Sequence, residues 1–232
     1  MPRRVPAFRK GQSLRALQEF TEKVYGIAND RLYSTSDCVT QLSRYTMRSL
    51  KGIRKHDRKK ITYNLLVALP WALSLASRFH ISVEEEVWKR FPNRCSYCGE
   101  CPCVCKKNKL KKRKLHISHA GKSPASLAGF QQMFLAIYPP ATRTLTDAGV
   151  HLAEETGEVA EAIANFFNRH EEEHFQAIRT ELADYVSCVF GVANSAGFDM
   201  AAELATLYRR GCHVCHRGPC VCTFETVIAE KS

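Results

Sequence analysis

The 232-residue chain, with 45% hydrophobic residues, is long enough to bury a real core, which excludes wholesale disorder. The basic N-terminus lacks the apolar segment of a signal peptide, and the longest apolar run is too short to span a bilayer. A cytoplasmic protein without membrane contact is therefore expected. The formal net charge of +11 suits an anionic partner such as a nucleotide or nucleic acid.

Helical patterns in the first part of the chain end at a cysteine cluster. Residues 61–91 are predicted to hold a long helix and a short one, which begins at Ser82 with Glu85 completing a capping box. Four cysteines then follow in the spacing C-x2-C-x4-C-x-C: Cys95, Cys98, Cys103 and Cys105. Four thiolates are the number that a closed zinc site needs, and a reducing compartment disfavours disulfides. An iron–sulfur cluster is the alternative.

A basic segment, residues 106–121, separates this part from the next. Seven of the nine residues from Lys106 to Lys114 are basic. Two interpretations remain open: a solvated linker, or an electrostatic contact with the phosphates of nucleic acid or substrate.

The second part of the chain, from residue 122, is predicted to hold four helices. The first begins with a serine cap in 123–138, and the second, within 146–167, places its apolar residues at helical spacing. A third helix is expected from about Glu171 to Ser195, and Asp199 caps a short fourth one that ends near Gly211. A second cluster with the same cysteine spacing follows: Cys212, Cys215, Cys220 and Cys222. The absence of a convincing strand pattern predicts an all-α fold.

The two parts form an internal repeat. Cys95 and Cys212 stand 117 residues apart, and the same offset aligns residues 61–91 with residues 178–208. The sequence therefore predicts two duplicated helical units, 1–105 and 122–232, joined by the segment 106–121. Each unit ends in a four-cysteine metal-binding loop, so two structural zinc ions per chain are expected.

Two pairs of carboxylates mark the second unit. Glu155 and Glu158 are three residues apart on one predicted helix, as are Glu181 and Asp184 on the next, so each pair shares a face. Antiparallel packing of the helices would bring the four together, where they would need a hard divalent cation, Mg²⁺ or Mn²⁺. An ordinary acidic helix face is the alternative. Gly157, in mid-helix, is predicted to mark a close approach.

The sequence "EETGE", followed by "ELAD" and "VANSAGFDM", resembles the MazG-like all-α nucleoside triphosphate pyrophosphohydrolases over roughly residues 126–210. The resemblance implies hydrolysis of a nucleoside triphosphate to the monophosphate and pyrophosphate. It makes Glu155, Glu158, Glu181 and Asp184 the magnesium ligands and Glu154 a helper beside them. Asn194 and Asp199 match family positions of the same residue types and are candidate ligand-binding residues. Because the family works as dimers or larger assemblies, the resemblance also implies a four-helix-type pseudo-dimer within one chain.

The first unit lacks this chemistry, because the 117-residue offset places Cys38, Gln41, Asn64 and Val67 opposite the four predicted ligands. It is not expected to bind magnesium. It is basic instead, from Arg44 to Lys60, and either lends Arg or Lys to the triphosphate or only buries the hydrophobic face of the active unit. The competing function is a zinc-stabilised nucleic-acid-binding or regulatory protein on an inactive scaffold. Further pairing between chains is left open.

Overall fold

Helices make up all the regular secondary structure in residues 5–107 and 121–230, the part of the chain that the structure, a computed structural model, describes. No strand occurs in these residues, which confirms the all-α prediction. The helices are α1 (Leu14–Leu32), α2 (Thr35–Arg54), α3 (Arg58–Arg78), α4 (Val83–Arg90), α5 (Leu127–Ile137), α6 (Leu145–Arg169), α7 (Glu172–Ala196), α8 (Met200–Leu207) and α9 (Phe224–Ala229), with a short 3-10 turn at Pro140–Thr142.

Two helical hairpins, α2–α3 and α6–α7, pack together as a four-helix core. Capping boxes fix the start of one helix in each: Ser34 and Asp37 begin α2, and Thr144 and Asp147 begin α6. The contact between α2 and α6, and that between α3 and α7, join the two hairpins. Apolar side chains at helical spacing, such as Leu152, are fully buried at these contacts. This four-helix core agrees with the predicted all-α, four-helix-type fold, and the pseudo-dimer remains a prediction.

The short helices cross between the two halves. Helix α4 packs against α7, and α8 packs against α3. A glutamine holds the start of each short helix in the same way. Gln18 donates to the Ile81 carbonyl at 2.8 Å and accepts from the Val83 amide, while Gln131 donates to the Phe198 carbonyl at 2.7 Å and accepts from the Met200 amide. Each half therefore completes its core with an element of the other.

The cysteine loops are exchanged in a similar manner. The Cys103 amide donates to the Ile137 carbonyl at the end of α5, and the Cys220 amide donates to the Val24 carbonyl of α1. The loop that follows the first half is thus held by the first helix of the second half, and the reverse holds for the other loop. Each half thus packs its short helix and its cysteine loop against the other half, so the two halves are expected to fold together.

The predicted capping box at the start of α4 is wrong. Ser82 occupies the N-cap position, but its side chain makes no capping hydrogen bond. Glu85 points instead to Arg15 of α1, whose Nη2 lies 2.7 Å from its Oε1. Glu85 therefore forms an ion pair between α1 and α4 and not the capping hydrogen bond within α4 that was predicted.

The predicted linker 106–121 falls mostly on residues 108–120, which lie outside the described residues.

Among the described helices, no single one is long and apolar enough to cross a membrane. Helices α3 and α4 reach that length and hydropathy only jointly, and they are bent by 99°.

Candidate active site

Three of the predicted carboxylates meet between α6 and α7. Glu155 extends from α6, and Glu181 and Asp184 extend from the facing turn of α7, with one oxygen of each within 4.8 Å of the others. The convergence follows from the three-residue spacing on α7 and from the antiparallel hairpin that the short 170–171 connection imposes. The sequence-based expectation that these acids share one site matches this geometry.

Burial and mutual repulsion keep this cluster partly protonated in the absence of a cation. Burial is the main reason that the pKa of Glu155 rises to about 8, and the neighbouring charges of Asp184 and Glu158 add to it. Burial likewise raises the pKa of Glu181 to about 7, again with Asp184 and Glu158 contributing. The Glu155 Oε2 atom is buried and has no hydrogen-bond partner. A buried, unpaired carboxylate oxygen beside two more carboxylates fits a hard divalent cation.

An arginine from the first half neutralises part of the cluster. Arg90, the last residue of α4, binds Asp184 through both ends of its guanidinium, with Nε–Oδ1 at 2.9 Å and Nη2–Oδ2 at 2.5 Å. Both side chains are largely buried, at 18% and 12% exposure. The basic residues of the first half that were expected to reach the site, Arg44 to Lys60, are not among the residues that line the described cleft. Arg90 was missed because its counterpart in the repeat is Leu207 and no motif marks it.

The other two acids of the motif lie at the rim. Glu158 is exposed and shares a hydrogen bond with Glu181. Glu154 is 56% exposed, and its Oε2 lies 3.1 Å from Nδ1 of His151. Gly157 makes no close approach, because a Cβ added there would meet no atom within 4 Å. The prediction from this glycine is wrong: α6 turns that face to open space.

Asn194 and Asp199 have partners away from the acids. Asn194 exchanges hydrogen bonds with Gln131, which holds the start of α8. Asp199 caps α8 by accepting from the Ala202 amide and pairs with Lys10 at 2.7 Å. Neither lines the cleft described below, and both contacts explain the residues through the fold.

Two of the acids, Glu155 and Asp184, line an open cleft with a volume of about 440 Å³. Its walls combine positive charge with aromatic rings. Basic lining comes from Lys106, Lys107 and Arg143, and the guanidinium of Arg143 lies 5.4 Å from the centre of the Tyr138 ring. Tyr97 adds a second ring from the first cysteine loop. The first two lysines of the basic segment thus face the cleft, whereas sequence patterns gave no signal for either tyrosine.

The first cysteine cluster forms one wall of this cleft through three of its members, Cys95, Cys103 and Cys105. Its sulfurs are spaced for one metal ion: Cys95 and Cys105 lie 3.7 Å apart, and Cys98 and Cys103 lie 3.9 Å apart. A tetrahedral site with Zn–S bonds of about 2.3 Å has sulfur–sulfur edges of about 3.8 Å. Cys101 is exposed and lies outside the set.

The second cluster repeats this geometry. Its sulfurs Cys212–Cys222 and Cys215–Cys220 lie 3.8 and 3.9 Å apart. In both clusters all four sulfurs lie within 4.8 Å of one another. These distances are too long for disulfides, whose S–S bonds are about 2.05 Å. The two four-cysteine groups can each hold a metal ion. Cys38 and Cys188 are buried in helices, outside both groups.

Residues 143–213 match the family model of the MazG nucleotide pyrophosphohydrolase domain. The match covers α6, α7 and α8 and includes all five motif acids. No curated protein and no solved structure shows significant similarity to the chain. In its C-terminal half the chain is therefore similar, over these residues, to a MazG nucleotide pyrophosphohydrolase domain.

Proposed function

We propose that the C-terminal half hydrolyses a nucleoside triphosphate to the monophosphate and pyrophosphate, using Mg²⁺ or Mn²⁺ held by Glu155, Glu158, Glu181 and Asp184. One observation carries the proposal: three carboxylates converge within 4.8 Å beside an open cleft, and the buried Oε2 of one of them, Glu155, has no hydrogen-bond partner. Carboxylates this close are stable in ionised form only with cations between them. The MazG match over the same residues agrees with this chemistry.

The acids and Arg90 have complementary roles in this proposal. When bound, the cation neutralises phosphate charge and lowers the pKa of an attacking water. Glu155 and Asp184 supply oxygens from the buried side, and Glu181 and Glu158 supply them from the rim. Arg90 balances the charge of Asp184 before the cation arrives, and its guanidinium is then available to a phosphate oxygen. Glu154 acts indirectly, by orienting His151 in the cleft wall.

The remaining walls of the cleft suit the rest of a nucleotide. Lys106, Lys107 and Arg143 place positive charge along the path of a phosphate chain, and Tyr97 and Tyr138 offer rings to a base. The chain therefore holds its substrate with residues of both halves. No protein nucleophile is required, because water attacks the phosphoanhydride directly.

We also propose a structural Zn²⁺ ion in each four-cysteine loop, about two per chain. The short sulfur–sulfur distances support a single ion, since an iron–sulfur cluster would stand between the thiolates and force them apart. Metal analysis of the purified protein is expected to find about two zinc ions per chain. Iron in place of zinc, with a brown colour, would contradict the assignment.

The enzymatic proposal is tested by incubating the protein with Mg²⁺ and a panel of ribo-, deoxyribo- and modified nucleoside triphosphates, with products identified by phosphorus NMR. Monophosphate and pyrophosphate are expected from at least one substrate, and Glu158→Gln is expected to abolish their release. Glu161→Gln, an exposed acid one turn further along α6, serves as the matched control.

The same assay tests the competing function. Two results together would contradict the hydrolase proposal: no pyrophosphate is released from any substrate, and Glu158→Gln changes no measured property. A zinc-stabilised nucleic-acid-binding or regulatory protein on an inactive scaffold would then take its place. The net charge of +11 is the observation that favours this second candidate.

A further inference from the structure

The first half has a pocket where the second half has its cleft. Helices α1, α2 and α3 and the second cysteine loop line it, as α5, α6, α7 and the first loop line the cleft. Matching positions recur in both: Val67 stands for Asp184 and Trp71 for Cys188. Tyr25 takes the place of Tyr138, because each follows the residue whose carbonyl accepts from a cysteine loop, Val24 in α1 and Ile137 in α5. Compared with the cleft, the pocket lacks the acids, but it lies at the equivalent place in its half and has an aromatic wall.

A carboxylate from the chain itself lies in this pocket. The Tyr45 hydroxyl donates to Glu230 Oε2 at 2.5 Å, and the Tyr63 hydroxyl donates to Oε1. The ring Nε2 of His213 lies 3.1 Å from the same Oε1. The Glu230 side chain is only 12% exposed. Three polar groups from α2, α3 and the second cysteine loop therefore converge on one anion.

The electrostatics of this pocket favour the negative charge. Burial alone would raise the pKa of Glu230, but the hydrogen bond and charge of His213, together with the two tyrosine hydroxyls, lower it to about 2. Where α6 and α7 gather acids that repel one another, the corresponding helices of the first half stabilise an anion. The pocket therefore favours an anion, whereas the acid cluster between α6 and α7 favours a cation.

Two arginines extend this anion-binding surface. Arg44 donates to the carbonyls of Val227, Ile228 and Glu230 at 3.0, 2.7 and 3.1 Å, and Arg48 donates to the Glu230 carbonyl at 3.1 Å. Both guanidiniums lie beside the Tyr45 ring. A guanidinium binds phosphate oxygens in the same fork geometry and more strongly than it binds peptide carbonyls.

The same segment also places an aromatic ring, that of the partly exposed Phe224, against Tyr33 in the pocket wall. The Phe224 ring packs on Tyr33 at 5.6 Å, and Tyr33 packs edge-on against Trp71 at 5.2 Å. The Tyr33 hydroxyl is buried and has no hydrogen-bond partner. Residues 224–230 thus present a ring at one end and an anion at the other, and a buried hydroxyl near the ring lacks the polar partner that a nucleobase edge would supply.

From these contacts we propose that the first-half pocket is a second nucleotide site, for a nucleoside monophosphate, and that residues 224–230 occupy it as an internal mimic. The phosphate would take the place of the Glu230 carboxylate, and the base would take that of Phe224. A monophosphate needs no divalent cation, which agrees with the loss of the acids. The free volume of about 40 Å³ requires the segment to leave before a ligand enters. The proposal does not depend on hydrolysis in the C-terminal half.

The test uses Trp71 as a reporter within the pocket. The chain has two tryptophans, so Trp88→Phe leaves Trp71 as the only one. The full-length protein is titrated with AMP without Mg²⁺, and Trp71 fluorescence is followed. Glu230→Gln weakens the internal mimic and is expected to tighten AMP binding at least about tenfold, or about 1.4 kcal/mol. Glu225→Gln, on the exposed side of the same segment, is expected to leave AMP binding unchanged.

Further arms separate the parts of the ligand. Inorganic phosphate and adenosine are expected to bind more weakly than AMP, and Arg44→Ala in the Glu230→Gln background is expected to weaken AMP binding. If Glu230→Gln does not fold, Phe224→Ala provides a second way to loosen the segment, with the same expected tightening. Equal AMP affinity in Glu230→Gln, Glu225→Gln and the parent, or no Trp71 response in any of them, would overturn the proposal. Glu155→Gln should leave this response intact, so failure of the hydrolase proposal would be distinguishable.

Discussion

The two halves have equivalent helical hairpins that favour ions of opposite charge. In the second half, α6 and α7 bring Glu155, Glu181 and Asp184 together, and burial raises the pKa values of the two glutamates. In the first half, α2 and α3 surround a single carboxylate, Glu230, with hydroxyl groups and positive charge. Four substitutions at the ligand positions remove the cation site, and the two tyrosines and His213, at other positions, hold the anion. The scaffold fixes the place of a site, and a few side chains fix its charge.

The largest expected effect separates the two hairpins directly. Glu155→Gln removes a buried cation ligand and is expected to lower pyrophosphate release by at least about 10³-fold, or about 4 kcal/mol of transition-state stabilisation. Cys38→Ser, the near-isosteric change at the matching position of α2, is expected to leave activity within about twofold. Steady-state kinetics of both variants measure the contrast. Equal losses in the two would contradict it.

Arg90 is the point at which the halves depend on each other. Arg90→Leu installs the residue of the matching position 207 and leaves Asp184 buried without its partner. Without Mg²⁺ this is expected to cost about 3 kcal/mol, or about 6–12 °C in Tm. Saturating Mg²⁺ is expected to recover part of the loss. Thermal unfolding with and without Mg²⁺ measures both effects. An unchanged Tm would mean that the ion pair does not join the halves.

The acid cluster should also respond to pH. The pKa values of Glu155 and Glu181, at about 8 and about 7, exceed the ordinary value of 4.5, so the folded, cation-free protein binds these protons more tightly than the unfolded chain does. The resulting stabilisation is present at low pH and is lost as pH rises from about 4.5 to about 8. Mg²⁺ must displace the same protons, so its affinity is expected to rise with pH between pH 6 and 8, by up to about tenfold per pH unit for each proton displaced and most steeply below pH 7. Calorimetric Mg²⁺ titrations at several pH values measure it, and an affinity that falls with pH would contradict the cluster as the binding site.

The smallest effect concerns the glycine of the acidic motif. Because a Cβ on Gly157 meets open space, Gly157→Ala is expected to stabilise α6 by about 0.5–1 kcal/mol. Denaturant unfolding measures the change, and Gly52→Ala serves as a contrasting control, since a Cβ there would lie 2.8 Å from the Ile61 backbone nitrogen. If Gly157→Ala instead destabilised the protein, the result would support the close approach to α6 that the sequence predicted.

The helices and the acid cluster were predictable because their information is local. Apolar spacing predicts α6 and α7, and acids three residues apart must share a helix face, so Glu181 and Asp184 could be placed together from sequence. Arg90 could not, because it reaches the site through the crossing of α4 onto α7 and matches no motif. The segment around Glu230 was missed for the same reason: six residues of helix carry little pattern, and its partners lie in α2 and α3. The other residues of the cleft and of the first-half pocket come together through contacts between distant segments, which local sequence patterns do not predict.

The central claim is that the second hairpin, and not the first, holds the catalytic cation. The most direct measurement is Mn²⁺ binding to the zinc-loaded protein, followed by electron paramagnetic resonance with Mg²⁺ as competitor. We expect bound Mn²⁺ that Mg²⁺ displaces, that Glu155→Gln abolishes and that Cys38→Ser retains. No bound Mn²⁺, or Mn²⁺ that survives Glu155→Gln, would contradict the account.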